Sequence, residues 1–156
     1  MSRVRELIRK DFSNDFTAGG AARTLTKDDA GKTIQLDTAA GTTITLPAAL
    51  GTGNEFYFCT TTIATSGSHV IQVANATDVM TGALQVVDNA DGTCTSFGTT
   101  GATTSRSDTI TLNRTTQGSV HVAERICVKD VKAGHWSVWG VVIATGSEAN
   151  PFSAAV

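Results

Sequence analysis

Charge is scarce in this chain. Only 17% of its 156 residues are Asp, Glu, Lys or Arg, and the formal net charge is −2. A balance so close to neutral excludes a strongly basic nucleic-acid binder. Long apolar runs are also lacking. None approaches the roughly 18–20 residues of a membrane helix, so no membrane association is expected. Residues 1–20 contain no apolar core of a secretory signal, so no signal peptide is expected. The three cysteines, Cys59, Cys94 and Cys127, are odd in number and far apart. That excludes a closed disulfide framework, and all three are read as small, reduced core residues. Leu, Glu and Lys are too few for a coiled coil or helical bundle. An apolar fraction of 40% with almost no net charge is not the composition of a disordered chain.

Threonine is abundant, with 26 residues, and glycine supplies 15. Thr, Val and Gly together favour strands and turns. The length suits one domain. The sequence divides into an N-terminal arm (1–23), a β domain (24–146) and a C-terminal tail (147–156). Within the β domain the apolar period is two. Ile34 and Leu36 alternate with polar neighbours, as do Ile44 and Leu46, which puts each pair on one strand face. Ala40-Gly41 marks the turn between them, and Pro47 ends the second strand. Further strands are predicted at Glu55–Thr60, His69–Val73, Ala83–Asp88, Thr93–Phe97, Thr109–Asn113, Ser119–Ala123, Arg125–Val131 and His135–Ala144. Asp91-Gly92 predicts a type I′ hairpin turn. Residues 98–108 are nearly all small or polar and are read as an exposed loop. No internal repeat marks a solenoid or propeller. The fold expected is a single antiparallel β domain of sandwich, jelly-roll or barrel-like form.

The last predicted strand is apolar on both faces. Trp136, Val138 and Val142 share one face and are assigned to the core, with Ile34, Leu36, Ile44 and Leu46. Trp139, Val141 and Ile143 share the other face, which suits a central or interface strand. The arm has a different character. Arg3, Arg5, Arg9 and Lys10 concentrate positive charge, and Val4, Leu7 and Ile8 fall at helical spacing. A short helix of this kind is marginal alone in water. The arm is therefore read as a binding element that needs a partner surface to lie against.

Candidate chemistry is sparse. Gly31-Lys32-Thr33 could close a phosphate-binding loop, but position 26 is Thr26 rather than Gly, and a strand follows instead of a helix. Asp88 to Gly92 superficially fits a calcium loop. With Gly92 as the invariant glycine, Val87 and Gly98 occupy positions that need carboxylates. His69, His121 and His135 have no metal-ligand spacing with one another or with Cys. A Cys127–His pair is conceivable as nucleophile and base, though no spacing marks it. Trp136 and Trp139 point to opposite faces of a strand, which disfavours a two-Trp stacking platform. No catalytic residue, metal or cofactor is assigned.

One pattern is more specific. It runs from Leu25-Thr26-Lys27-Asp28-Asp29-Ala30-Gly31-Lys32-Thr33-Ile34 through Ala40-Gly41-Thr42-Thr43-Ile44-Thr45-Leu46-Pro47-Ala48. It continues in Gly53, Phe56-Tyr57-Phe58 and Ser68-His69-Val70-Ile71, and ends in Gly134-His135-Trp136-Ser137-Val138-Trp139-Gly140. This pattern resembles small β-rich virion proteins of tailed bacteriophages, of the head-decoration or cement type. It is also similar to phage fibre and spike domains. The resemblance implies a non-enzymatic homotrimer on the outer capsid surface of a virion, with the major capsid protein as partner. The alternative it implies is a tail fibre or spike domain that recognises a host surface receptor. A small hydrolase is a third class, and it lacks the clustered carboxylates or His-based site it would need.

Overall fold

A computed structural model describes residues 16–102 and 105–156. Within them the regular secondary structure is almost entirely strand, and a single 3-10 turn at Lys27–Asp29 is the one helical element. Twelve strands follow in order. They are β1 (Phe16–Ala18), β2 (Ala22–Thr24), β3 (Thr33–Leu36), β4 (Thr43–Thr45), β5 (Glu55–Thr60) and β6 (His69–Gln72). After them come β7 (Val79–Asp88), β8 (Cys94–Gly98), β9 (Thr109–Leu112), β10 (Arg125–Lys132), β11 (His135–Ala144) and β12 (Phe152–Ser153). Seven strands form one sheet in the order β1-β3-β5-β10-β11-β7-β8, and five form another in the order β12-β9-β6-β4-β2.

The sheets are mixed, which corrects the expectation of an antiparallel domain. β1, β3 and β5 run parallel, as do β2, β4 and β6, and β7 runs parallel to β11. The physical reason is the winding. The first six strands alternate between the sheets, so neighbours in a sheet are next-but-one in sequence and point the same way. A parallel pair needs a crossover connection, usually a helix. Here the crossover is a strand of the other sheet. Ala40-Gly41 is accordingly a corner between sheets and not a hairpin. Gly41 has φ +105°, and a Cβ there would lie 2.3 Å from the Ser68 carbonyl oxygen, so only glycine fits. Among the described residues both sheets have free ends, β1 and β8 in one and β12 and β2 in the other, and no barrel closes.

The corner between β2 and β3 is built from the Thr26–Asp29 segment. Thr26 N–H donates to the Asp29 carboxylate at 3.0 Å, and Asp28 N–H donates to the Thr26 hydroxyl at 3.3 Å. This reciprocal cap satisfies the free donors of the short turn. Arg23 and Lys32 reach the same carboxylate at 2.8 and 3.6 Å. Gly31-Lys32-Thr33 then leads into β3, so Lys32 serves an ion pair in a corner.

Buried residues from both sheets belong to one hydrophobic cluster. Ile34, Leu36, Ile44, Leu46, Trp136, Val138 and Val142 are all inside it. Their alternation with polar neighbours is the source: one strand face turns to the cluster and the other to solvent.

Several boundaries differ from expectation. β1 and β2 lie within residues 16–24, so the end of the segment read as an arm contributes a strand to each sheet. β12 lies in the segment read as a tail, where Phe152 is buried and pairs with Ile110. Ser119–Ala123 is not a strand. Ser119 and Ala123 have φ of 65° and 70°, conformations no ladder uses. The Glu124 carboxylate closes this loop by accepting from the N–H groups of Ser119, Val120 and His121 at 2.7, 2.8 and 2.9 Å. β7 and β8 do form a hairpin, but Gly92 alone in its connection has positive φ, at +74°. A type I′ turn needs positive φ at two positions, so the connection is instead a longer turn closed by Gly92 N–H on the Asp88 carbonyl at 2.9 Å.

Candidate interaction surface

Period-two alternation puts half of the larger sheet's side chains on its outer face. Ile34, Phe58, Ile126 and Leu84 face the core. Their sequence neighbours therefore face out. Strand register aligns these into rows across the sheet. One row runs Phe16, Thr33, Tyr57, Cys127, Trp139, Ala83. The next runs Gln35, Cys59, Arg125, Val141, Gln85.

These rows carry apolar surface in contact with solvent. Phe16 is 57% exposed, Trp139 47% and Val141 44%. Between the strands lies a shallow depression of about 480 Å³, bordered by Thr33, Tyr57, Cys127, Trp139, Val141 and Arg125. Single exposed apolar residues are ordinary on protein surfaces, whereas contiguous ones mark contact sites. Trp136, on the opposite face of β11, is fully buried. The two tryptophans thus have opposite roles: Trp136 fills the core, and Trp139 is available for contact.

A polar corner fixes the rim of the depression. Glu55 and Lys129 sit directly opposite across β5 and β10, with Lys129 Nζ 2.8 Å from Glu55 Oε1. The Tyr57 hydroxyl donates to the other oxygen of Glu55. The two donors, Lys129 first, hold the Glu55 carboxyl below its ordinary range. The bond to Glu55, with burial added, pushes the Tyr57 hydroxyl up to about 12. Tyr57 therefore remains a neutral donor, its ring anchored beside Cys127. Burial, with the Glu55 charge added, pushes the Cys127 thiol up to about 12. A thiol held protonated in this way is a poor nucleophile, because the thiolate is the reactive form.

His69 and Asp130 serve the backbone. His69 is buried, accepts at Nδ1 from the Thr42 N–H at 3.0 Å, and its Nε2 lies 2.8 Å from the Thr62 carbonyl. Donation from Nε2 to that carbonyl fixes a neutral tautomer, and burial lowers the pKa in the same sense. Asp130 accepts from the N–H groups of Leu50, Gly51 and Thr52 at 3.1, 2.7 and 2.9 Å and from the Thr52 hydroxyl at 2.7 Å. Among the described residues no group of three or more His, Cys, Asp or Glu side chains is placed to hold a metal ion. The three cysteines are free. Cys59 and Cys127 are buried, but Cys94 is exposed on β8, which corrects the reading of all three as core residues.

Arg3, Val4, Arg5, Leu7, Ile8, Arg9 and Lys10, the binding residues expected in the arm, lie outside the described residues. The exposed apolar face of the larger sheet was partly foreshadowed by the two-faced apolar pattern of β11. Tyr57, Phe16 and Arg125 were not, because their neighbourhood depends on register between strands far apart in sequence. No protein-family model, curated protein or solved structure matches this chain.

Proposed function

We propose that this chain is a non-enzymatic structural protein that assembles through the outer face of its seven-stranded sheet. The observation that carries this reading is the register-aligned apolar surface of Phe16, Tyr57, Trp139 and Val141. Burial of such surface contributes roughly 25 cal/mol per Å². A specific interface of standard size removes about 1,600 Å² from water. The fold proposed for this role is a two-layer sandwich with the apolar cluster between the sheets.

The phage resemblance makes the reading more specific. The chain is then a head-decoration protein, a homotrimer that docks on the major capsid protein at the outer surface of a virion. Its work is mechanical. Contacts between copies and with the shell resist outward strain. The engagement of His69, Asp130, Asp29 and Glu124 with backbone or ion-pair partners supports a non-enzymatic role. The basic arm would add contacts to acidic groups on the shell, with charge setting the on-rate and register.

Negative-stain imaging of virions labelled with an antibody to this protein tests the assignment. Label over the whole head is the expected result. Label confined to the tail would overturn it in favour of a fibre or spike domain that recognises a receptor.

A further inference from the structure

Strand β8 ends the larger sheet, and its edge is unlike the others. β1 and β2 have three residues each and β12 has two, whereas β8 has five. Short or charged edges are the common protection against strand pairing between chains. β8 is neither short nor charged. No charged residue lies between Asp91 and Arg106, and the segment contains no proline. Cys94, Thr95, Ser96 and Gly98 are all exposed, and only Phe97 is half-buried against the core.

The backbone groups of this edge can be assigned. Asp88 N–H donates to the Thr93 carbonyl at 2.8 Å, and Thr99 N–H to the Gly82 carbonyl at 3.0 Å. Bonded and non-bonded pairs alternate in an antiparallel ladder. Thr95 and Phe97 therefore turn their N–H and C=O groups to β7. Cys94, Ser96 and Gly98 turn theirs outward, where among the described residues they meet no partner.

We propose that β8 is a seam between two copies of this chain, paired antiparallel about a two-fold axis at Ser96. In that register Ser96 faces Ser96 of the second copy, and Cys94 faces Gly98. Every outward N–H and C=O of the three residues then finds a mate. A strand paired with its own copy needs no second recognition surface, since a two-fold interface is self-complementary. The missing charge, which leaves the edge unprotected, also leaves nothing to repel the copy. This contact is separate from the Trp139 face. The seam would join neighbouring assemblies, while that face closes each one.

Disulfide trapping tests the seam on the full-length chain. Directly opposed residues in a bonded antiparallel pair have Cα atoms about 5.5 Å apart, within the disulfide range of about 4.4–6.8 Å. The double variant Cys94→Ser, Ser96→Cys at micromolar concentration under mild oxidation should form a covalent dimer at least tenfold faster than wild type. Wild-type Cys94 lies about 14 Å along the seam from its counterpart and should link slowly. The control Cys94→Ser, Gln85→Cys places a thiol on the same face one strand inward and should also link slowly. Ser96→Pro is the second arm. The Ser96 N–H points away from β7, so proline removes no bond within the sheet. This variant should keep the wild-type circular dichroism spectrum and sediment with a mass at least twofold smaller. The proposal fails if the Ser96 thiol links no faster than the Gln85 control. It also fails if wild-type Cys94 links equally fast, or if folded Ser96→Pro keeps the wild-type mass.

Discussion

The rings of Phe56 and Trp136 meet edge to face, with centroids 5.9 Å apart and planes inclined at 62°. Both rings are fully buried. The pair joins β5 to β11 across β10, at the centre of the larger sheet. Aromatic pairs in this geometry add about 0.5–1.5 kcal/mol beyond the area they bury. Trp136→Ala should therefore cost roughly 3–5 kcal/mol, a large share of a typical 5–15 kcal/mol domain stability. Urea unfolding checks it. An unchanged midpoint would mean that the ring contributes nothing to the core.

Gly82 sits where the backbone of β11 leaves no room for a side chain on β7. Its φ is +152°, and a Cβ there would lie 1.8 Å from the Val138 carbonyl oxygen. Gly82→Ala forces the strands apart or abandons the conformation. A strained φ costs about 1–3 kcal/mol and overpacking about as much again. Thermal melting should show a large fall, whereas Gly101→Ala, with nothing near its Cβ position, should be nearly silent.

Asp130 sets the expected acid response. Burial alone would raise its pKa, but the donors from Thr52, Gly51 and Leu50 outweigh burial and hold the folded carboxyl below its ordinary value of 3.8. The unfolded chain then takes up the proton first as pH falls. The stabilisation is fully present above about pH 4 and is lost as pH drops through the folded value. Asp29 has the same sign, because its bonds from Thr26 and Arg23 outweigh its burial. Unfolding free energy measured from pH 6 to pH 2 should decline for wild type. Asp130→Asn should be less stable at pH 6 and decline less steeply. Equal slopes would contradict the role given to Asp130.

The thiols should divide by exposure. Cys94 should react with a thiol reagent in the native protein at near-peptide rates. Cys59 and Cys127 should react only on unfolding, and Cys127 is further protected by its raised pKa. Three thiols titrating together in the folded protein would contradict the burial of the last two.

Much of the core was legible in the sequence, because period-two patterning depends only on local chain geometry. Ile34, Leu36, Ile44 and Leu46 announce their faces, and so do the two tryptophans of β11. Strand direction was not legible, since a parallel and an antiparallel strand bury the same alternate residues. The winding left no repeat to recognise, because β1, β3 and β5 start at uneven intervals. β1, β2 and β12 have too few residues to produce a pattern. Val120 and Val122 imitated a strand, but positive φ at Ser119 and Ala123 and the Glu124 carboxylate make that segment a loop. The interaction surface was half legible. Trp139 and Val141 stand out along one strand, whereas Phe16 and Tyr57 join them only through register.

Sedimentation equilibrium of the wild-type chain beside Trp139→Ser tests the central claim most directly. The larger sheet's outer face is held to be an assembly surface, and Trp139 is one of its exposed rings. The wild type should sediment as a closed oligomer, with the mass of three chains as its unit. Trp139→Ser should lose that unit while keeping the wild-type circular dichroism spectrum of its β domain, since the ring is 47% exposed and outside the core. A wild-type chain that stays monomeric at micromolar concentration, or a Trp139→Ser variant that assembles as tightly as wild type, would contradict the account.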